Sequence, residues 1–185
     1  MSMSSSRNSK LPTLTIVAGR PGAGKSTLAH ILAKRIHCPL ISRDDIKEGM
    51  VNATGDKGVP GGQLAQNALT TFFEVIELLL GRGVTVVADA FFPEELWKSQ
   101  IAKLGPLAKI NLVVCDVEDD IASERLERRR NADPYWDEFH NQPVNQKLMP
   151  ATRYEPPELG VPTLIVSCRS EYNPEIESIY RFTKS

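Results

Sequence analysis

The residues from Gly19 to Ser26 have the types and the spacing that could bind a phosphate group. Their sequence, Gly-Arg-Pro-Gly-Ala-Gly-Lys-Ser, matches the pattern G-x-x-x-x-G-K-[ST] in full. Glycines let such a loop curl so that successive N–H groups point at phosphate oxygens. We expect Lys25 to reach the β- and γ-phosphates of a nucleoside triphosphate and Ser26 to bind Mg²⁺. The predicted nucleotide-binding residues of this loop are Gly19, Pro21, Gly22, Ala23, Gly24, Lys25, Ser26 and Thr27.

Two acidic residues directly follow a second apolar run of the chain. They are Asp44 and Asp45, after residues 39–42. A carboxylate at this place could accept the proton of an attacking hydroxyl during phosphoryl transfer, and we assign this catalytic role to Asp44. The alternative for Asp44 is a capping or surface role. Asp45 has capping-box spacing to Glu48, which favours a role as the cap of the next helix.

A third acid, Asp89, closes the apolar run of residues 84–88. An acid at the end of a buried strand is the position that holds Mg²⁺ or its water shell in P-loop enzymes. We therefore predict that Ser26 and Asp89 form the metal site. The alternative is that Asp89 caps a helix that starts near Pro93.

Four arginines crowd the last turns of one predicted helix: Arg125, Arg128, Arg129 and Arg130. The polar, irregular segment 131–150 that follows could be a lid that carries arginines onto the phosphates and excludes water. We assign Arg128 to charge stabilisation and Arg125 and Arg129 to the nucleotide. The alternative is a solvated helix end, in which cations suit the helix dipole and Glu124 pairs with Arg128.

The elements that must position these residues alternate regularly along the chain. Apolar β-rich runs at residues 14–18, 39–42, 84–88, 109–115 and 163–166 are separated by helical patterns. The helical patterns lie at residues 25–37, 63–80, 117–130 and 174–182, with shorter helices after Asp45 and Pro93. This order predicts an α/β fold, a P-loop three-layer sandwich whose five-stranded parallel sheet carries helices on both faces. Ligands of such sheets bind beyond the carboxyl ends of the strands, where the acids described above lie.

The composition fits one globular domain. The chain has 185 residues and a formal net charge of −1, which argues against a protein that coats nucleic acid. We predict a disordered tail at residues 1–10 and a single domain over residues 11–185. No apolar run approaches the roughly 20 residues of a membrane span. Cys38, Cys115 and Cys168 show no metal-ligand spacing, and with no targeting segment they favour the cytoplasm.

The motif residues together resemble a family of small kinases. The segment Gly19–Thr27, the run Ser-Arg-Asp-Asp-Ile-Lys at 42–47 and Asp89 are similar to P-loop kinases of the polynucleotide kinase type. These are grouped with AAA-like predicted kinase domains and, more loosely, with zeta-toxin and chloramphenicol phosphotransferase. The resemblance covers nearly the whole chain after the tail. It implies that Asp44 is the general base and that the nucleotide is ATP.

The resemblance also implies where the acceptor and the adenine lie. The family motif ends in an arginine that binds the acceptor's phosphate, and this sequence has Lys47 there. Lysine offers a charge without a bidentate fork, which makes a nucleic-acid end a less favoured acceptor. Arg43, Lys47 and Asp89 are the predicted acceptor-binding residues. The lid arginines fall within 125–130, and the loop near 167–169, which includes Arg169, borders the adenine.

Two functions follow from these assignments. The first is an ATP- and Mg²⁺-dependent kinase that phosphorylates a hydroxyl on a small molecule or a nucleic-acid 5′ end. The alternative is a nucleotide-binding switch, or slow ATPase, that acts on a protein partner and passes phosphate only to water. Dependence of ATP consumption on an added hydroxyl compound distinguishes them.

Overall fold

Alternating apolar runs form a parallel sheet whose strands all end at one edge. The computed structural model describes residues 11–55, 59, 62–132 and 155–185. The predicted tail, residues 1–10, and positions 133–150 of the predicted lid lie outside them. The strands are β1 Thr13–Gly19, β2 Leu40–Ser42, β3 Val86–Asp89, β4 Lys109–Asp116, β5 Thr163–Cys168 and β6 Tyr172–Asn173. The helices are α1 Lys25–Ile36, α2 Arg43–Thr54, α3 Gln63–Gly81, α4 Glu94–Leu104, α5 Asp119–Ala132 and α6 Ile176–Phe182.

The sheet has the order β2-β3-β1-β4-β5-β6 in the described part of the chain. The first five strands pair in parallel, which confirms the predicted parallel sheet. The two-residue strand β6 pairs antiparallel with β5 and was not predicted, because so short a strand has no detectable alternation. The register pairs Val17 with Asp89 and Asp89 with Ser42, so the ends of β1, β3 and β2 lie side by side.

Two apolar cores, one on each face of the sheet, make the three layers. The first core packs α3 and α4 against the sheet through Phe72, Ile76 and Trp97. The second core packs α1, α5 and α6 on the opposite face, through residues such as Leu28, Leu32, Ala122 and Ile179. Strand residues divide between the cores by alternation, as a sheet covered on both faces requires. The predicted fold class is confirmed.

The start of α2 corrects one prediction. The N-cap of α2 is Ser42, whose hydroxyl oxygen accepts a hydrogen bond from the Asp45 backbone N–H at 3.2 Å. The predicted cap role of Asp45 is therefore wrong: Asp45 lies inside the first turn of the helix. The helix continues through Thr54. A serine before two acids is itself a capping signal.

The far end of α1 is tied to the last helix. Arg35 donates a hydrogen bond to Glu177 at 2.6 Å, and its guanidinium lies 4.8 Å from the centre of the Tyr180 ring. Ile179 of α6 is fully buried in the core that α1 shares. Helix α6 thus supports α1 from the end opposite to the glycine-rich loop.

None of the described helices has the length and apolar character that a bilayer span requires.

An aromatic group in the first core dominates its packing. Phe72 is fully buried and makes edge-to-face contacts with Phe73 and Trp97. We expect Phe72→Ala to lower the free energy of unfolding by about 3–5 kcal/mol, because it removes a large side chain and leaves a cavity. Urea unfolding measures this. Leu78→Ala on the same helix, at a side chain 60% exposed, is the control and should change stability by no more than about 0.5 kcal/mol. Equal losses in both variants would contradict the proposed packing.

Candidate phosphate-binding site

The glycine-rich loop lies against backbone on two sides. A Cβ placed on Gly19 would lie 2.5 Å from the Cys115 carbonyl oxygen of β4. A Cβ on Gly22 would lie 2.3 Å from the Ala122 carbonyl oxygen of α5, and Gly22 has a left-handed φ of 81°. Both approaches are closer than any side chain permits, so glycine is required at these two positions. The close packing of the loop against the backbone of β4 and α5 therefore keeps the loop curled.

Helix α1 begins where the loop ends. Its N-cap is Gly24, which provides no side-chain cap, and its first turn carries no acidic side chain. The first N–H groups of a helix have no partner within the helix and carry the positive end of its dipole. An oxyanion at the loop is the natural partner for them. The local geometry is therefore compatible with a bound phosphate.

Lys25 is turned back onto the loop. Its ammonium group donates a hydrogen bond to the Arg20 carbonyl oxygen at 3.1 Å. Burial lowers the pKa of Lys25, and the negative charges of Asp89 and Asp44 act in the opposite direction. Both predicted acids are therefore close enough to Lys25 to act on its charge.

Asp89 lies at the end of β3 and is only 6% exposed. Burial raises the pKa of Asp89, and a hydrogen bond with Ser26 and the charge of Lys25 partly oppose that rise. The N-cap of α4 is Pro93, so the alternative in which Asp89 caps that helix is not realised. Ser26 and Asp89 place a hydroxyl and a carboxylate side by side. Oxygen ligands of this kind are those that Mg²⁺ prefers, so the pair fits that ion.

Asp44 lies in the first turn of α2, with its side chain 59% exposed. Its Oδ1 is 3.0 Å from Nη1 of Arg43. One turn further along α2, Lys47 is only 7% exposed. Burial lowers the pKa of Lys47, and the positive charge of Arg43 adds to this. Arg43, Asp44 and Lys47 thus form a charged group at the start of α2, and the charge of Asp44 also acts on Lys25.

The predicted nucleotide-binding arginines surround a cleft of about 460 Å³ on the other side of the loop. Arg125 donates hydrogen bonds to the carbonyl oxygens of Cys168, at 2.9 Å, and of Arg169. Arg129 also lines the cleft, and its charge contributes to lowering the pKa of Lys25. The cleft is lined by Gly22, Gly24, Thr27, Arg125, Arg128, Arg129, Ala132, Cys168, Arg169, Ser170, Glu171 and Tyr172.

Two of these arginines have acidic partners. Arg128 pairs with Glu124 at 2.6 Å and is 75% exposed, as in the alternative in which the helix end is solvated. Arg169 pairs with Glu118, with 3.1 Å between Nε and Oε2. Both still line the cleft. Arg43, Asp44 and Lys47 do not line it, so the predicted site residues divide into two groups on either side of Lys25.

Several residues of this site were not predicted from the sequence. Tyr172 lines the cleft from β6, a strand too short to be predicted, and Glu171 lines it from the bend before that strand. Arg20 forms an ion pair with Asp119 at the start of α5, a long-range pairing without a local signal. The thiols of Cys115 and Cys168 meet behind the loop, where their hydrogen bond and burial raise the pKa of Cys115. Both thiols are buried.

Comparison with known proteins gives consistent matches. Residues 14–149 match the family described as AAA domain. An uncharacterised protein of Mycobacterium tuberculosis is 29% identical over 126 residues, which cover 63% of this chain and 25% of that protein. The chain therefore spans about a quarter of the length of this curated relative.

Solved structures share the fold. A candidate kinase from Chloroflexus aurantiacus has a TM-score of 0.81 at 22% identity, covering 95% of this chain and 98% of that one. The Mycobacterium tuberculosis APS kinase, solved with AMPPNP and APS, has a TM-score of 0.64 at 18% identity, covering 95% and 99%. The predicted resemblance to small P-loop kinases is confirmed.

The close approach of Gly22 to α5 yields a test of the loop. We expect Gly22→Ala to weaken binding of a non-hydrolysable ATP analogue by about 10- to 100-fold, because overpacking of this kind costs about 1–3 kcal/mol. Titration calorimetry measures the affinity. Gly83→Ala is the matched control: Gly83 has a similar φ of 78°, but a Cβ there would meet no atom within 4 Å. It should lose about 1 kcal/mol of stability and keep its affinity. If Gly22→Ala bound the ATP analogue with unchanged affinity, the proposed binding of phosphate by the glycine-rich loop would be ruled out.

Proposed function

This chain belongs to the AAA-domain family, and on that premise we propose that it is an ATP- and Mg²⁺-dependent kinase. It transfers the γ-phosphate of ATP to a hydroxyl of an acceptor. The observation that carries the proposal is the placing of Asp89 at the end of β3, bonded to Ser26, beside the end of β2 from which Asp44 follows, next to a loop whose glycines approach backbone closely. Asp89 is suited to bind a metal ion and Asp44 to accept a proton, and phosphoryl transfer uses carboxylates for both purposes.

The nucleotide lies along the loop and into the cleft. Its phosphates bind to the N–H groups of residues 19–27 and to Lys25. Its base enters the cleft between Arg125 and Tyr172, both of which line it. Arg125 is held by two backbone carbonyls, so its guanidinium is already oriented before a nucleotide arrives. Arg128 and Arg129, on the last turns of α5, supply positive charge at the phosphate end.

Ser26 and Asp89 hold the metal. Their side chains hydrogen-bond to each other, which keeps both oxygens at one place. Mg²⁺, when bound, supplies positive charge that neutralises phosphate oxygens. The burial of Asp89 makes its unpaired charge costly and so favours a cation beside it. These features support the assignment of the metal to this pair.

Asp44 is the general base. Its exposed carboxylate lies at the edge of the sheet next to Lys25, where a bound acceptor could present its hydroxyl. Asp44 takes the proton of that hydroxyl as the oxygen attacks the phosphorus atom. Arg43 is paired with the same carboxylate, and it restricts the orientations that Asp44 adopts.

Arg43 and Lys47 bind the acceptor. Both are cations close to Asp44: Arg43 contacts its carboxylate, and the charge of Asp44 acts on the pKa of Lys47. An anionic group on the acceptor is the partner that these two side chains suit. A small molecule is favoured over a nucleic-acid end, because lysine lacks the bidentate fork of arginine and the net charge of the chain is −1.

The exposure of Asp44 also favours a second candidate function. Water reaches a carboxylate that is 59% exposed, so water could take the place of the acceptor. The chain would then be a slow ATPase, or a nucleotide-dependent switch for a protein partner.

A turnover screen distinguishes the kinase from the ATPase. ATP consumption with Mg²⁺ is measured with pooled alcohols, sugars, nucleosides and 5′-hydroxyl oligonucleotides. Stimulation by one pool supports the kinase, and hydrolysis that no pool stimulates supports the ATPase.

Substitution of the proposed base gives the sharper test. We expect Asp44→Asn to lower kcat for phosphotransfer by about 10²- to 10⁴-fold, because general-base catalysis contributes about that factor. Binding of the ATP analogue should persist, since Asp44 does not line the nucleotide cleft. Asp45→Asn is the matched control on the next residue, whose backbone rather than side chain bonds to Ser42. Full phosphotransfer by Asp44→Asn would exclude this role for Asp44.

A further inference from the structure

Helix α5 carries arginines of the cleft, but it buries little apolar surface. Of its 14 residues only Ala122 is buried, and Ile121 packs partly against the second core. An alanine side chain contributes little hydrophobic stabilisation, because the gain scales with the apolar area removed from water. The position of α5 therefore depends strongly on its other contacts, and several of these go to the glycine-rich loop.

The loop and α5 contact each other in the same order along the chain. Alternate residues of the loop lie against every third residue of the helix. The pairs are Arg20 with Asp119, Gly22 with Ala122 and Gly24 with Arg125. Residues three apart lie on one face of a helix. One face of α5 thus follows the loop from Arg20 to the start of α1.

The first two pairs differ in kind. Gly22 sets the closest approach of the loop to α5, because a Cβ there would lie only 2.3 Å from the Ala122 carbonyl oxygen. Arg20 and Asp119 instead attract each other as opposite charges. The side chain of Arg20 is 15% exposed, so water and salt screen this pair less than a pair at the open surface. The ion pair therefore holds α5 against the limit that Gly22 sets.

Arg20 also connects this contact to Lys25. The Arg20 carbonyl oxygen accepts a hydrogen bond from the Lys25 ammonium group at 3.1 Å, while its guanidinium pairs with Asp119. At the other end of the loop, a Cβ on Gly24 would lie 3.9 Å from Nη1 of Arg125. Two cations that we assign to the nucleotide, Lys25 and Arg125, are thus linked through Arg20 and α5.

We propose that Asp119 is a positioning residue of the nucleotide site: its ion pair with Arg20 keeps α5 aligned with the loop and so places the Arg125 guanidinium for the bound nucleotide. This inference rests on the proposed function, because it takes the loop and the cleft as the nucleotide site. Asp119 does not line the cleft, so it acts on the ligand only through Arg20 and α5. A small displacement of a binding group is enough to weaken its contact with a ligand.

The neighbouring acid provides a matched control. Asp119 and Asp120 both lie in the first turn of α5, where an acidic side chain suits the positive end of the helix dipole. Asp120 accepts a hydrogen bond from the backbone N–H of Ile121 at 2.8 Å, so its contact is within the helix end itself. Removal of either charge affects the helix dipole alike, whereas Asp119→Asn also breaks the ion pair with the loop.

The experiment uses the full chain and measures the dissociation constant of a non-hydrolysable ATP analogue, with Mg²⁺, by titration calorimetry. The single variants are Asp119→Asn, Arg20→Gln and Arg125→Ala. Asp119→Asn is also combined with each of the other two. Asp119→Glu tests rescue by a conservative replacement, and Asp120→Asn is the control.

We expect Asp119→Asn to weaken binding of the analogue by about 3- to 10-fold, and Asp119→Glu to restore most of the affinity. Arg20→Gln should weaken binding by a similar factor, and the two together no more than either alone, because both remove one ion pair. Asp120→Asn should change the affinity by less than about 2-fold.

The pair with Arg125→Ala distinguishes a positioning role from a structural one. In the Arg125→Ala protein, Asp119→Asn should change the affinity by less than about 2-fold, because the arginine that Asp119 places is absent. A general loss of stability would instead cost the same factor in both backgrounds. Thermal unfolding of each variant checks that a weakened affinity does not reflect a loss of fold.

Two results would overturn this inference and leave the proposed function intact. One is an Asp119→Asn protein that binds the analogue as tightly as Asp120→Asn does. The other is a loss of affinity in Asp119→Asn that persists in full in the Arg125→Ala protein. If the unaltered protein does not bind the analogue, the proposed function fails and the inference fails with it. If it binds the analogue but no acceptor stimulates turnover, the kinase fails, while the affinities still decide the role of Asp119.

Discussion

The ammonium group of Lys25 is a positive charge brought close to the sheet at the point where three strands end. Burial disfavours such a charge, as its lowered pKa shows. Compensation comes from the Arg20 carbonyl and from two carboxylates, Asp89 and Asp44, that belong to different parts of the chain. Strands β3 and β2 therefore have to end beside β1, and the observed order β2-β3-β1 places them there. The strand order on this side of the sheet is therefore the one that brings the two carboxylates within range of the Lys25 charge.

The fold class followed from the sequence because its signals are local. Each parallel strand is a nearly continuous apolar run, and each helix has its own periodicity, so the alternation that defines the fold is visible without distant contacts. The glycine-rich loop between β1 and α1 was predictable for the same reason, since its glycines, lysine and serine lie within one short segment, residues 19–26. Asp89 was found from its position at the end of one such run.

The features that escaped prediction depend on contacts between distant parts of the chain. The ion pair of Arg20 with Asp119 joins the loop to α5, and no pattern near either residue signals it. The cleft needs β6, a two-residue strand whose pairing is set by β5. Asp45 was misassigned because its spacing to Glu48 fitted a capping box, while Ser42, three residues earlier, took that position in the structure.

The arginines of α5 have the same side chain but different contacts. They lie within residues 125–130, but Arg125 is fixed by backbone carbonyls while Arg128 pairs with Glu124 at the surface. Exposed pairs of the latter kind contribute little to stability, about 0–1 kcal/mol, so Arg128 can leave its partner at low cost. Arg125 cannot move without breaking two hydrogen bonds. Arg125 is therefore suited to hold a ligand in one orientation, and Arg128 is suited to move with a ligand.

The attachment of α6 to α1 links α6, at a distance, to the glycine-rich loop that precedes α1. Helix α1 is a single rigid element: its first turn faces the loop, and Arg35 in its last turn bonds to Glu177. Ile179 fills the core beneath the same helix, so removal of α6 would expose apolar side chains of α1 to water. Loss of α6 would then alter the affinity of the proposed nucleotide site without touching the nucleotide. By the reciprocity of linked equilibria, a bound nucleotide would protect α6 from fraying and from proteases.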